Sequence, residues 1–124
     1  MGNLSETSTG DNAGVIRLNL DMISLMDESA TTIVAPHFFA ASFMHKYNGK
    51  YFFFYSTTFE FHSMTIDCMV SDNPVAGWEY VGTVLPNSAD NNSNNNHHSI
   101  VEFEGAWYIF YHNRKLSNQE GLFD

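Results

Sequence analysis

Met44-His45-Lys46-Tyr47-Asn48-Gly49-Lys50-Tyr51-Phe52-Phe53-Phe54-Tyr55-Ser56 aligns without a gap on Ile100-Val101-Glu102-Phe103-Glu104-Gly105-Ala106-Trp107-Tyr108-Ile109-Phe110-Tyr111-His112, at an offset of 56 residues. Each copy sets a hairpin glycine between an apolar strand and an aromatic one that ends in Phe-Tyr. Asn-Gly is a strong two-residue hairpin signal, because the favoured turn needs positive φ at both central residues. Four strands fit between the start of one copy and the start of the next. The repeat is therefore one four-stranded unit, the size of a propeller blade. Two unrelated hairpins would share part of this pattern; the common glycine and the aromatic ladder in register favour a repeat.

Outward from the echo, short strands follow one another. Val15–Leu20 alternates apolar and polar residues over its last five, which predicts a strand with one wet face. A connection at Asp27–Thr32 leads to His37–His45, aromatic and rich in small residues, which reads as a strand buried on both faces. Further strands are predicted at Lys50–Thr57, Ser63–Ser71 and, after the Asp72-Asn73-Pro74 turn, at Trp78–Leu85. The asparagine-dominated stretch Asn87–Asn96 disfavours regular structure, since side-chain amides compete for backbone hydrogen bonds. Strands at His97–Phe103 and Ala106–His112 complete the series. No stretch shows a period of 3.6, so the fold class is all-β.

The 124 residues, 44% of them hydrophobic and 15% aromatic, allow a single globular domain. Residues 1–13, rich in Ser, Thr, Asn and Gly, are expected to fray. Residues 14–124 form the domain, with blade-like units at 37–85 and 97–124. A propeller typically closes with four to eight blades, and this sequence holds one blade, half of the next and one preceding strand. The expectation is a partial β-propeller of about one and a half four-stranded blades, completed by self-association into a homo-oligomer.

Five Lys plus Arg against fourteen Asp plus Glu give a net charge of −9. Such a surface does not neutralise phosphates, so nucleic acid is excluded as a partner. No apolar run approaches the roughly 20 residues of a spanning helix, and no basic residue precedes an apolar run at the N-terminus, so no membrane partner is expected. A cytoplasmic and an exported location both stay open. Cys68 is the one cysteine and lacks the spacing of a zinc site; it reads as a small buried apolar residue.

At Phe38-Phe39-Ala40-Ala41-Ser42-Phe43-Met44-His45-Lys46-Tyr47-Asn48-Gly49-Lys50-Tyr51 the chain resembles the third blade of glycoside hydrolase family 43, the β-xylosidase and α-L-arabinofuranosidase group. Asn96-His97-His98-Ser99-Ile100-Val101-Glu102-Phe103, with Trp107-Tyr108 and Tyr111-His112-Asn113-Arg114, is similar to the start of its fourth blade. The Ser71-Asp72-Asn73-Pro74 turn and Gly77-Trp78-Glu79-Tyr80 resemble the outer part of blade three. The resemblance implies a five-bladed propeller that hydrolyses xylosyl and arabinosyl linkages with inversion. That chemistry needs a carboxylic acid to protonate the leaving oxygen and a carboxylate across the ring to activate water.

In the family the base is an Asp of blade one, a second Asp of blade two tunes the acid, and the acid is a Glu of blade three. Blade one and most of blade two have no counterpart here. The family's Phe-Glu-Ala-Ser pattern puts the acid's position on Ala40, whose methyl carries no proton. The resemblance further implies that His97 lines a central channel and contacts a cation such as calcium or its water shell, although no cofactor is required. Phe43, Trp107 and Tyr108 could stack on the apolar face of a pyranose, and Arg114 could contact a sugar hydroxyl or carboxylate. Adjacent His97 and His98 on extended backbone point to opposite faces, so both do not chelate one metal. His45 and His112 read as structural, and the acids Glu60 and Asp67 as solvated.

Two functions follow. One is a partial or degenerate glycoside hydrolase of the xylosidase/arabinofuranosidase type with weak or lost activity. The other is a non-catalytic module that binds xylo- or arabino-oligosaccharides or assembles with itself.

Overall fold

The computed structural model describes residues 13–58, 64–86 and 96–112. Eight strands follow in order: β1 Ala13–Val15, β2 Thr31–Ile33, β3 Phe38–Tyr47, β4 Lys50–Thr57, β5 Ile66–Ser71, β6 Glu79–Leu85, β7 His98–Phe103 and β8 Ala106–Tyr111. They form three antiparallel sheets: β1–β2, the meander β3–β4–β5–β6, and the hairpin β7–β8. The four-stranded sheet is the blade that the 56-residue echo predicts.

The two echoed turns share their backbone. Asn48 and Gly49 have φ of 53° and 79°, and Glu104 and Gly105 have 51° and 81°. Left-handed residues at both central positions match the twist of the flanking strands, which is why the loop is two residues long. Tyr47 then pairs with Lys50, and Phe103 with Ala106.

The core lies between β1–β2 and one face of the blade. Ala13, Ile33 and Ala35 pack with Phe53, Tyr55 and Met69, all nearly or fully buried, and Phe38, Met44 and Trp78 close the edge. The Tyr55 hydroxyl donates to the Pro36 carbonyl at 2.8 Å, so this buried phenol leaves no unmet donor. Cys68 is buried, and burial pushes its thiol up to about 11, as a core cysteine requires.

Two strand expectations need correction. Val15–Leu20 is not a strand: pairing ends at Val15, and Leu20 is fully exposed. Asp21 accepts the amides of Ile23 and Ser24 at 3.0 Å, a side-chain turn at the tip of the excursion that follows β1. The excursion is closed by the Leu18–Leu25 bridge and the Arg17–Asp27 ion pair at 2.6 Å, and the chain resumes as β2 inside the predicted connection. Nor is the stretch His37–His45 buried on both faces. As an edge strand β3 is half-buried or exposed throughout, and the strand buried at all but half-buried Val70 is β5, two places along the sheet. Residues 1–12, and 87–95 of the asparagine-rich stretch, lie outside the described residues.

Candidate functional site

Ala40 sits where β3 departs from regular pairing. Phe38 faces Thr57, Ala40 faces Ser56 and Phe43 faces Phe54, so an extra residue is inserted on each side of Ala40. Ala41 takes φ of 56° and His37 58°, conformations that non-glycine residues adopt at a cost of order 1 kcal/mol each. Bulges of this kind re-aim a side chain out of the pleat and are common beside active sites. Here the re-aimed side chain is a methyl. Neither β3 nor β4 contains an Asp or Glu.

The sheet brings Ala40 and His97 to one end of the blade. Ser56, the partner of Ala40, is fully buried and donates through Oγ to the Asn96 carbonyl at 2.7 Å. Buried Asn96 donates through Nδ2 to the Met64 carbonyl at 3.2 Å, which ties the start of β7 to the blade. His97 follows, exposed, with its ring 5.5 Å from that of His112. His98 turns the other way. Its ring lies 6.3 Å from Phe43 and 6.1 Å from Phe54, and both of its nitrogens are buried with no partner among the described residues. Burial, and then the nearby His97 and His45, push it down to about 4. The opposite facing of the two histidines agrees with the extended backbone.

The aromatic candidates do not join Ala40. Phe43 is half-buried between the sheets against His45 and His98, and burial lowers the His45 pKa. Trp107 is 42% exposed and packs edge-on against His45 at 5.1 Å and Tyr47 at 5.4 Å. His45 lies five residues beyond Ala40, roughly 15 Å along the strand. Tyr108 projects from the opposite face of β8, and Arg114 lies outside the described residues. Between blade and hairpin His45, Tyr47, Phe52, Phe54, Ile100 and Trp107 line an apolar cavity of about 180 Å³.

Asp67 corrects another expectation, since it is 3% exposed rather than solvated. Its carboxylate accepts Thr65 Oγ1 at 2.7 Å, Thr83 Oγ1 at 2.9 Å and the Tyr80 hydroxyl at 2.6 Å. Burial, reinforced by Asp67, pushes the Tyr80 phenol up to about 12. The group joins β5 to β6 and is committed to those hydroxyls. The alternation of Thr65 with Asp67 hinted at it, but Tyr80 and Thr83 meet Asp67 only through the sheet register. Glu60 lies outside the described residues.

No family profile matches the chain. An arabinoxylan arabinofuranohydrolase of Paenibacillus polymyxa is 40% identical over 116 residues, covering 87% of this chain and 18% of the relative. A solved α-L-arabinofuranosidase of Clostridium thermocellum matches with a TM-score of 0.78 at 51% identity, over 92% of this chain and 38% of that one. A glycoside hydrolase family 43 arabinoxylan arabinofuranohydrolase of Bacillus subtilis, solved with cellotetraose, gives 0.78 at 33% identity, over 93% and 25%. Over the span it covers, the chain is similar to glycoside hydrolase family 43 xylosidases and arabinofuranosidases. That span is between about a fifth and two fifths of these three relatives' lengths.

The cation that family 43 implies near His97 is not matched by the donors there. Calcium takes six to eight oxygen ligands, and the His97–His112 pair offers imidazoles. Among the described residues no three His, Cys, Asp or Glu side chains are gathered to hold a metal. By themselves these two imidazoles do not make up a calcium shell, and water oxygens would have to supply most of it.

Proposed function

We propose that this chain is the acid-bearing part of a family 43 xylosidase/arabinofuranosidase propeller in a form that has lost its acid, so that family-type hydrolysis is weak or absent. The observation that carries this reading is the twice-bulged stretch of β3, with left-handed Ala41, around a residue that has no proton to give. The backbone presents position 40 as a functional side chain is presented, yet its methyl cannot protonate a leaving glycosidic oxygen. Loss of a general acid commonly removes about 10²- to 10⁴-fold of rate. The buried carboxylate of the same blade, Asp67, is held by the hydroxyls of Thr65, just before β5, and of Tyr80 and Thr83 on β6, and does not substitute.

The test uses nitrophenyl β-xyloside and α-L-arabinofuranoside with the chain itself, and with residues 13–112 grafted into the C. thermocellum enzyme in place of its own matching segment. The chain alone releases no nitrophenol above buffer. The graft is at least 100-fold slower than its Ala40→Glu counterpart. Turnover of the chain at ordinary enzyme rates, or equal rates for the two grafts, refutes the reading.

Sugar binding without turnover is a second reading, favoured by the neighbouring Trp107 and Tyr47 rings, 42% and 53% exposed. Calorimetry with xylo- and arabino-oligosaccharides gives heat that Trp107→Ala abolishes. No heat with any of these sugars removes this reading and leaves assembly alone.

A further inference from the structure

Trp107 and Tyr47 meet where two hairpin turns come side by side. Asn48-Gly49 closes β3–β4 and Glu104-Gly105 closes β7–β8, and Lys46, Tyr47, Glu102, Gly105 and Trp107 line a cleft of about 500 Å³ between them. Both walls are this chain's own hairpins, so the cleft is bounded within the described residues. It lies at the other end of β3 from Ala40, because Tyr47 comes seven residues later, roughly 20 Å along the strand.

The register sets Glu102 beside Trp107 on the hairpin wall, and the Trp107 ring meets Tyr47 at 5.4 Å and 71°. Packed edge-on, the two rings do not cover each other, and both stay exposed. Two charged groups with hydrogen-bonding capacity to spare flank them. Glu102 commits Oε1 to the Gly105 amide at 2.6 Å, while its Oε2 has no partner among the described residues. Lys46 reaches over the Tyr51 ring, Nζ 5.3 Å from the centroid, and forms no ion pair among the described residues. Open ring faces with a few convergent polar groups, in a volume of this order, are the make-up of a small-molecule site. A metal ion would find one carboxylate here, and an anion would meet Glu102 and Glu104 on a chain of net charge −9. The fitting ligand is neutral, with an apolar face and hydroxyls around its rim. A pyranose chair with equatorial hydroxyls has that shape, since its axial C–H groups form a flat face, whereas a puckered furanose offers less.

We infer that the cleft between the two turns binds a neutral pyranose unit, stacked on Trp107 with its hydroxyls shared between Lys46 Nζ and Glu102 Oε2. The inference rests on the sugar-binding reading above and narrows it to one place and one ring type: unsubstituted xylo-oligosaccharides bind in preference to arabinofuranosyl chains and to chains that carry a uronic acid.

Amide NMR of the full chain, titrated with xylotriose from about 0.1 to 20 mM, reads location and affinity together. Shifts are expected at Lys46, Tyr47, Glu102, Gly105 and the Trp107 indole N–H, and not at Ser56, Asn96 or His97. Lys46→Met keeps the stem over Tyr51, and Glu102→Gln keeps an acceptor for the Gly105 amide, so both variants retain the fold. Each weakens binding roughly fivefold, as loss of a charged hydrogen bond in a site open to water should. Glu79→Gln, which removes the same charge from β6, leaves the affinity unchanged. Arabinotriose and a xylotriose bearing a glucuronate both bind more weakly than xylotriose. No shift with any of these sugars overturns the cleft and the sugar-binding reading together. Shifts gathered at the Ala40–His97 end, or binding that Trp107→Ala abolishes and both Lys46→Met and Glu102→Gln leave untouched, overturn the placement alone. Equal affinity for arabinotriose overturns the choice of a pyranose.

Discussion

Neutralising the awkward histidine between blade and hairpin ought to flatten the acid dependence of stability. His98 sits against Phe43 and Phe54 with neither nitrogen partnered among the described residues, and its pKa is pushed from 6.5 down to about 4, first by burial and then by His97 and His45. The folded state therefore prefers the neutral ring more than the unfolded chain does. The stability this confers is complete above pH 6.5 and is lost as the pH falls from there to about 4. At about 1.4 kcal/mol per pH unit the full interval is worth roughly 3 kcal/mol. The ring keeps partial contact with solvent, and screening reduces this to roughly 1.5 kcal/mol, of which about 1 kcal/mol is already lost by pH 5.

Urea unfolding at pH 7.5 and 5.0, followed by tryptophan fluorescence, reads this directly. The parent loses about 1 kcal/mol more than His98→Phe between the two pH values. The variant is no less stable at pH 7.5, because a phenyl ring suits the Phe43–Phe54 setting and leaves no buried nitrogen unpaired. His45→Phe serves as the control for the other imidazole whose pKa burial lowers. An identical pH dependence in parent and His98→Phe, or a variant weaker by more than about 1 kcal/mol at pH 7.5, would show that the ring nitrogens have partners and that the reasoning fails.

Three other perturbations follow from the same geometry. Asp67→Ala strips three hydroxyls of their acceptor and should cost about 2–3 kcal/mol in urea unfolding, whereas Asp67→Asn should bring the Tyr80 titration down from about 12 part of the way to 10 in ultraviolet difference spectra. Glu104→Asn gives the left-handed position of the second turn the residue that its twin has at Asn48, and should raise stability by about 0.5–1 kcal/mol. Asn96→Ala removes the buried bond to Met64, should cost about 1–2 kcal/mol, and should speed amide exchange in β7 and β8 more than in β5.

Periodicity made the middle of this fold readable. Alternation, Asn48-Gly49 and the second glycine at 105 are local signals, and they placed β3, β4, β7 and β8 to within a residue or two. What the residues did not disclose depends on neighbours. The burial of β3 turns on its being an edge strand, which no run of Phe and Ala reveals. After Val15 the chain leaves the ladder for an excursion whose tip is turned by the Asp21 side chain, and the alternation of Val15–Leu20 conceals that departure. A sequence pattern drew attention to position 40, but the double bulge around it has no local signal. Trp107 and Phe43 qualified as sugar platforms by residue type, and only the register shows them packed in the contact between blade and hairpin.

The bulges around Ala40 also bear on which feature of the site is the more durable. A side chain contributes its chemistry alone and can be lost in one substitution, whereas the conformation of residues 37–41 is tied into the rest of the blade. Thr58 donates to the His37 carbonyl at 2.7 Å, Phe38 donates to Ala35 at 3.1 Å, and Ser56 opposite Ala40 is bound to Asn96 at the entry to the next sheet. Straightening β3 would shift Phe38 off Phe53 and Tyr55 and break the link to β7, so the left-handed residues are held in place whatever side chain position 40 carries. Strain here is held by packing and hydrogen bonds on both sides of the strand, not by the acid it would present. It follows that any side chain introduced at position 40 would meet a backbone whose shape is already fixed by its neighbours.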